Sequence, residues 1–268
     1  MTQHADDESQ PKAVSEEGLL PPAVRALEGV VLRVKMTLNP AEVARLVGFP
    51  EGYAPEPQAM GVLADAMARV RSLAEPRGVF RVLAPSMAPH VGLTPADAPG
   101  LAIGLTTVGG SIEAEAERAM AEGQAFMALA LEAAGSAAVE ETTDILSAFI
   151  VGDPGVVLEG DTLAAQEMSI PSSAAAELAR TRASKTPRHH PAACRFSPGY
   201  GTWRLEDQSL LLALLPAEEL GVTLLPSMMM VPRKSVSFGM WLGGPEGRAP
   251  LGGCKACSLL HCRFRRRT

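Results

Sequence analysis

The run Leu101-Ala-Ile-Gly-Leu-Thr-Thr-Val108 contains no charge and no polar alternation. As a strand it has to be covered on both faces, which requires a sheet with material packed on either side. Apolar residues make up 47% of the 268-residue chain but aromatics only 4%. Alanine, leucine, valine and methionine must therefore fill the core, which favours helices against a sheet with small side chains between them.

Before this strand, the segment from Pro21 to about Met36 reads as helix or, from Val30 onward, as strand. Asn39 caps a helix that has Pro40 in its first turn and Val43, Leu46 and Val47 on one face. Residues 58 to 73 repeat apolar side chains at helical spacing, at Met60, Leu63, Ala64, Met67 and Val70, and Pro76-Arg-Gly78 stops them. Val79 to Leu83 is a strand, and prolines 85, 89, 95 and 99 make a loop with a short helical turn.

After it, Gly109-Gly110-Ser111 lacks the lysine and further glycines of a phosphate-binding loop, and Ser111 reads as a helix cap. A helix from Ile112 to about Ala134 carries Ala116, Met120, Phe126, Met127 and Leu131 inward and glutamates outward. Gly135-Ser136 ends it. A second helix then runs from Ala137 to Ile150 with Glu140, Glu141 and Asp144 at its start, where carboxylates suit the helix dipole. Residues 164 to 182 read as another helix, and Leu205 to Leu215 as one with Asp207 and Gln208 facing out. Val222 to Leu225 and Ser235 to Met240 read as strands. Residues 1 to 18 hold Asp6, Asp7, Glu8, Glu16 and Glu17 against Lys12 and read as a disordered acidic tail.

A net charge of -6 argues against a nucleic-acid partner. No apolar run is long enough to span a bilayer, and the polar, acidic N-terminus is the opposite of a signal peptide, so a cytoplasmic protein with no membrane partner is expected. Four cysteines in such a chain read as thiols or metal ligands rather than disulfides.

Two stretches carry chemistry. In Cys194-Arg-Phe-Ser-Pro-Gly-Tyr-Gly201, Pro198 fixes one φ angle while Gly199 and Gly201 permit angles other residues resist, which makes a tight exposed bend. Arg195 offers a planar fork for a carboxylate, and Tyr200 a ring face for a cation. The pair suits a zwitterionic or sulfonium ligand; a plain turn is the other reading. Downstream, Ser235, Ser237 and Gly239 alternate with Lys234, Val236 and Phe238. The small face leaves room for a flat ligand or accepts a neighbouring helix. Met228, Met229 and Met230 read as core or as a flexible apolar contact surface.

The order ArgPheSerProGlyTyrGly, a leucine-rich helix, then LeuLeuProSerMetMetMetValProArgLysSerValSer resembles the activation domain of vitamin B12-dependent methionine synthase. The resemblance is strong over about 194 to 241, loose over about 102 to 150, and not traceable in the first hundred residues. It implies a site for S-adenosylmethionine built from Arg195, Ser197, Pro198, Gly199, Tyr200 and Gly201, with Ser235 and Ser237 beside it. Arg195 would take the methionyl carboxylate, and no acidic ligand residue could be placed from the N-terminal part. No corrinoid-, folate- or homocysteine-binding module surrounds the domain. The resemblance therefore implies a stand-alone activation subunit, acting on cobalamin carried by a corrinoid-dependent methionine synthase that lacks its own activation domain, with flavodoxin or ferredoxin as electron donor.

Near the end, Cys254-Lys-Ala-Cys257 and Cys262 crowd three soft ligands together, which suits an iron-sulfur cluster or zinc. Cys194 or His261 would be the fourth ligand. His189-His190 reads as a solvated pair. The division expected is an acidic tail at 1–18, an activation-like domain at 19–245 and a cysteine-rich metal-binding tail at 246–268. The fold expected is α+β, a mixed, largely antiparallel twisted sheet with several flanking helices. Two other functions fit the cysteines: an iron-sulfur electron-transfer protein reducing a corrinoid protein, and a non-catalytic zinc-stabilised interaction subunit.

Overall fold

The computed structural model of the chain describes residues 20–152, apart from Pro21, Glu51, Ala54, Ala96 and Asp97, together with residues 195–243. The acidic tail, the helix expected at 164 to 182, His189-His190 and all four cysteines lie outside the described residues.

The central sheet has the order β1 (Leu32–Arg33), β2 (Arg77–Leu83), β3 (Gly100–Thr107) and β6 (Ser235–Leu242), with every pairing antiparallel. Strand β3 is the centre, running from Arg77↔Thr107 to Leu83↔Leu101 on one side and from Gly100↔Leu242 to Thr107↔Ser235 on the other. All eight of its residues are buried, as its uninterrupted apolar run requires. A hairpin of β4 (Thr223–Leu224) and β5 (Met230–Val231) stands apart as a second small sheet. The fold is α+β, and the antiparallel sheet with flanking helices follows the expectation.

One face of the sheet carries four helices: α2 (Pro40–Val47), α3 (Pro57–Leu73), α4 (Ser111–Ala121) and α5 (Ala125–Ile150). Helix α5 lies against β2, β3 and β6 through Leu146, Phe149 and Ile150, which pack with Phe80, Ala102, Phe238 and Met240. The opposite face is covered by a 3₁₀ segment (Pro85–Val91), by Phe196 and Trp203, and by α6 (Gln208–Leu214), all closing over Leu101, Ile103 and Leu105. Gly104 has no room for a side chain, because a Cβ there would run into the Phe238 ring.

Asn39 caps α2 as its sequence position demands, its Oδ1 accepting from Ala41 N at 2.9 Å. The 21-to-36 ambiguity resolves into both options, a four-residue helix α1 (Pro22–Arg25) followed by β1. In α3 the inward residues are Leu63, Ala66, Met67 and Val70, whereas Met60 and Ala64 face solvent; the helix presents a narrower stripe than its apolar content implies.

Several expectations are corrected. The break in the long helical stretch falls at Gly123, not at Gly135-Ser136. Gly123 takes a left-handed φ of 77°, open to solvent, while Gly135 sits inside α5 against Ile112 and Lys234. Glu140, Glu141 and Asp144 consequently lie in the middle of a helix rather than at its start. Gly110, not Ser111, occupies the cap position of α4. Met120 is exposed, being near the C-terminal end of α4 and away from α5.

Gln208 is buried rather than outward, because its amide is taken up on both sides by polar partners. Met229 is exposed and Met228 and Met230 are half-buried, since the hairpin projects from the sheet instead of entering the core. Both faces of β6 are covered, one by α5 and the other by Phe196, Trp203 and α6, which is the neighbouring-helix reading of its small face.

Candidate functional site

The bend lies along the outer edge of β6. Phe196 and Gly239 form an antiparallel bridge, with Phe196 N donating to Gly239 O at 3.0 Å and Gly239 N to Phe196 O at 2.8 Å. This pairing brings together the two stretches that carried the sequence resemblance.

Beyond the bridge the chain turns tightly. Tyr200 N donates to Ser197 O at 3.2 Å, Gly199 N to Trp203 O at 2.9 Å and Trp203 N to Tyr200 O at 3.1 Å. The turn needs its glycines: Gly199 and Gly201 have φ of 90° and 60°, where a side chain is strained. Trp203 anchors the corner, its ring 5.3 Å from that of Phe196 and its Nε1 donating to Val91 O at 2.7 Å. Pro198 is buried, whereas Gly199, Tyr200 and Gly201 are exposed, Tyr200 to 60%.

Arg195 and Phe196 leave the backbone on opposite sides. Phe196 enters the core under Trp203, and the Arg195 side chain, 17% exposed, reaches α5. There its Nη2 lies 2.8 Å from Glu140 Oε2 and 2.8 Å from Asp144 Oδ1, a pair one helical turn apart. The sequence places these two carboxylates at a helix start and gives no link between them and Arg195. The signal is that Glu132, Ser136, Glu140 and Asp144 recur every four residues along a largely apolar helix.

The upper half of that stripe meets the next two cations of the second stretch. Lys234 Nζ lies 2.6 Å from Glu132 Oε2 and 3.1 Å from Ser136 Oγ, and Arg233 Nη2 lies 3.1 Å from Glu132 Oε1. One helix face thus holds Arg195, Arg233 and Lys234 through a single polar row. The Arg195 Nη1 is enclosed and has no hydrogen-bond partner among the described residues.

Ser235 and Ser237 lie on the other side of β6. Ser235 Oγ bonds Thr107 Oγ1 at 3.0 Å and Pro232 O at 2.7 Å, and Ser237 Oγ bonds Gln208 Oε1 at 3.0 Å. A Cβ on Gly239 would meet both Phe196 and Trp203 at 3.0 to 3.2 Å. The small residues of this face therefore receive the aromatic pair and α6, and the structure places them on the sheet side opposite to the Arg195 guanidinium. Near the corner, Glu206 is held below the usual carboxylate range by a backbone amide and then by the Arg204 guanidinium 3.4 Å away.

The described residues include no group of three or more histidines, cysteines or acids placed to hold a metal ion. Cys194, Cys254, Cys257 and Cys262 are outside them. No helix among them is long and apolar enough to cross a membrane.

The fold and this geometry define an α+β domain that presents an arginine-bearing glycine-proline bend on the edge of an antiparallel sheet. No protein-family model matches the chain, and no curated protein matches it. Among solved structures, the chain is similar to the MetH reactivation domain bound to AdoHcy, at 15% identity with a TM-score of 0.47, over 71% of this chain and 67% of that one.

Proposed function

We propose that this protein is a stand-alone S-adenosylmethionine-binding activation subunit, which supports the reductive methylation of cob(II)alamin in a corrinoid-dependent methionine synthase lacking such a domain. The observation that carries the reading is the pairing of Phe196 with Gly239. It joins the ArgPheSerProGlyTyrGly bend to the ArgLysSerValSer strand, the two stretches whose order resembles the activation domain family.

In this reading S-adenosylmethionine, held by the residues of the bend, would supply the methyl group for the partner's corrinoid, and a flavodoxin or ferredoxin would supply the electron. The domain contributes position rather than a reacting side chain, and alignment of donor and acceptor is a large share of such a barrier. Arg195 holds the methionyl carboxylate. The exposed Tyr200 and the backbone of Ser197 to Gly201 line the approach. Ser235 and Ser237 act from beneath, by fixing the strand on which the bend rests.

Isothermal titration with S-adenosylmethionine tests the reading. Wild type should release or absorb heat with one site per chain, and Arg195→Ala should weaken the interaction by at least about tenfold, the size of one charge-assisted hydrogen bond. Absence of heat with wild type would end it.

A further inference from the structure

Four cations crowd the edge of the sheet farthest from the bend. Arg33 stands directly opposite Arg77 across the ladder, and Arg81 follows Arg77 by four residues on β2, so these three share a face of the pleat. Burial alternates through Leu32, Arg33, Val34 and Lys35, which puts Lys35 outward beside Arg33. Arg33, Lys35 and Arg81 are exposed and have no ion-pair partner among the described residues, while Arg77 has Glu75 at 3.4 Å. Like charges set opposite each other in a sheet repel. The helical layer does the reverse, with Arg45, Arg69, Arg118 and Lys234 each against a carboxylate. In a chain of net charge -6, this corner is positive and lacks its counter-charge.

The same corner is an open strand edge. Val34 N donates to Pro76 O at 3.0 Å, so Arg33, of the opposite parity, turns its N–H and C=O away from β2. Such groups are a template for pairing with another chain. The acidic segment at 1–18 joins the described structure here. Leu20 is buried with Val24, Leu27 and Leu32 and lines one concavity with Val82 and Leu83, at the end of β2. Glu16 and Glu17 come four and three residues before Leu20, a reach of up to about 14 Å, and Arg81 is next to Val82. Asp6, Asp7 and Glu8 come 12 to 14 residues before it, a reach of up to about 45 Å. The six steps of β2 from Leu83 back to Arg77 cover about 20 Å.

We propose that the acidic segment of this chain docks on the face carrying Arg33, Lys35, Arg77 and Arg81, with Glu16 and Glu17 at Arg81 and Asp6 to Glu8 at the other three. It supplies the missing counter-charge and covers the outer edge of β1, an intramolecular shield against pairing of that edge with other chains. The inference concerns the opposite edge of the sheet from the bend and stands apart from the S-adenosylmethionine reading.

Zero-length carbodiimide coupling, which joins a carboxylate directly to an amine, tests it on the full chain. The lysines among the described residues are Lys35 and Lys234, and Lys234 Nζ is already 2.6 Å from Glu132 Oε2, so Lys35 reports docking and Lys234 is an internal control. Peptide mass spectrometry at about 0.01 M salt should find Asp6, Asp7 or Glu8 joined to Lys35, within one molecule when isotopically labelled and unlabelled protein are mixed. The yield should collapse at about 1 M salt, where the screening length is about 3 Å. It should fall at least about twofold in Arg33→Gln/Arg81→Gln, which leaves Lys35 in place and removes two exposed pairs, each a factor of about 1.4 to 5.

Absence of coupling to Lys35, or equal coupling to Lys234, would overturn the proposal. So would coupling between molecules alone, which would make this face a contact between two copies. A yield unchanged by the two substitutions would do the same, because proximity along the chain would then suffice to bring the acids to Lys35. Should circular dichroism show the double variant unfolded, Arg33→Gln alone is read by the same criteria.

Discussion

Phe196 and Gly239 exchange both backbone hydrogen bonds, and the absence of a side chain at Gly239 lets the Phe196 and Trp203 rings lie directly on the strand. The bend is thereby tied by an isolated bridge to the outer edge of the four-stranded sheet. A methyl group at position 239 would sit 3.0 Å from Phe196 and 3.1 Å from Trp203, both ring atoms held in the core. Gly239→Ala should cost about 1 to 3 kcal/mol, the usual range for overpacking. Urea unfolding followed by tryptophan fluorescence would measure it, and a loss below about 0.5 kcal/mol would mean that the corner docks loosely.

Arg195 separates stability from binding. Its partners are about half-exposed, and pairs of that kind contribute about 0.2 to 1 kcal/mol. Arg195→Lys keeps the charge but loses the fork, so it should change stability by under about 1 kcal/mol while still weakening S-adenosylmethionine, since a point charge does not replace planar two-point contact. Chemical denaturation and titration on the same preparation give both numbers. Equal losses in the two would make Arg195 a purely structural residue.

Gln208 bridges the hairpin and β6: its Nε2 donates to Met228 O at 2.7 Å and its Oε1 accepts from Ser237 Oγ at 3.0 Å. Met228 has a left-handed φ of 65°, a conformation a methionine holds only when its surroundings impose it. Gln208→Leu keeps the volume but leaves a buried hydroxyl and a carbonyl without their partner. The expected cost is about 1 to 3 kcal/mol. Faster amide exchange in residues 225 to 230, relative to β3, would show that the hairpin is what this amide holds.

Strand β3 was legible because a run with no polar alternation has only one place in a sheet, and α2 because a cap residue and a proline fix a helix start from local chemistry alone. The bend was legible for the same reason: Pro198, Gly199 and Gly201 constrain the backbone whatever surrounds them. Gln208, Met229, Glu140 and Asp144 were not, because each depends on what another part of the chain brings to it. A glutamine reads as surface until its two partners are known, and two acids read as the dipole-facing start of a helix until Arg195 arrives from 51 residues beyond Asp144. The misplaced helix break has the same origin. Gly123 and Gly135 are identical in sequence terms, and only packing distinguishes a glycine that ends a helix from one that makes room for a neighbour.

That distinction can be measured at Gly135. On propensity alone, glycine to alanine inside a helix is favourable by about 1 kcal/mol. Here the new Cβ would lie 2.9 Å from Ile112 Cγ2 and 3.2 Å from Lys234 Cε. Ile112 is fully buried and cannot retreat, while Lys234 can move only by loosening its 2.6 Å contact with Glu132. The steric cost of about 1 to 3 kcal/mol should outweigh the gain, so Gly135→Ala lowers the urea midpoint. Lys234→Ala alone removes the cation and its stem, and combined with Gly135→Ala it should cost less than the sum of the two, because the crowded atom is gone. Additive losses would mean that Ile112 alone sets the limit and that Lys234 is not packed on the helix at this glycine.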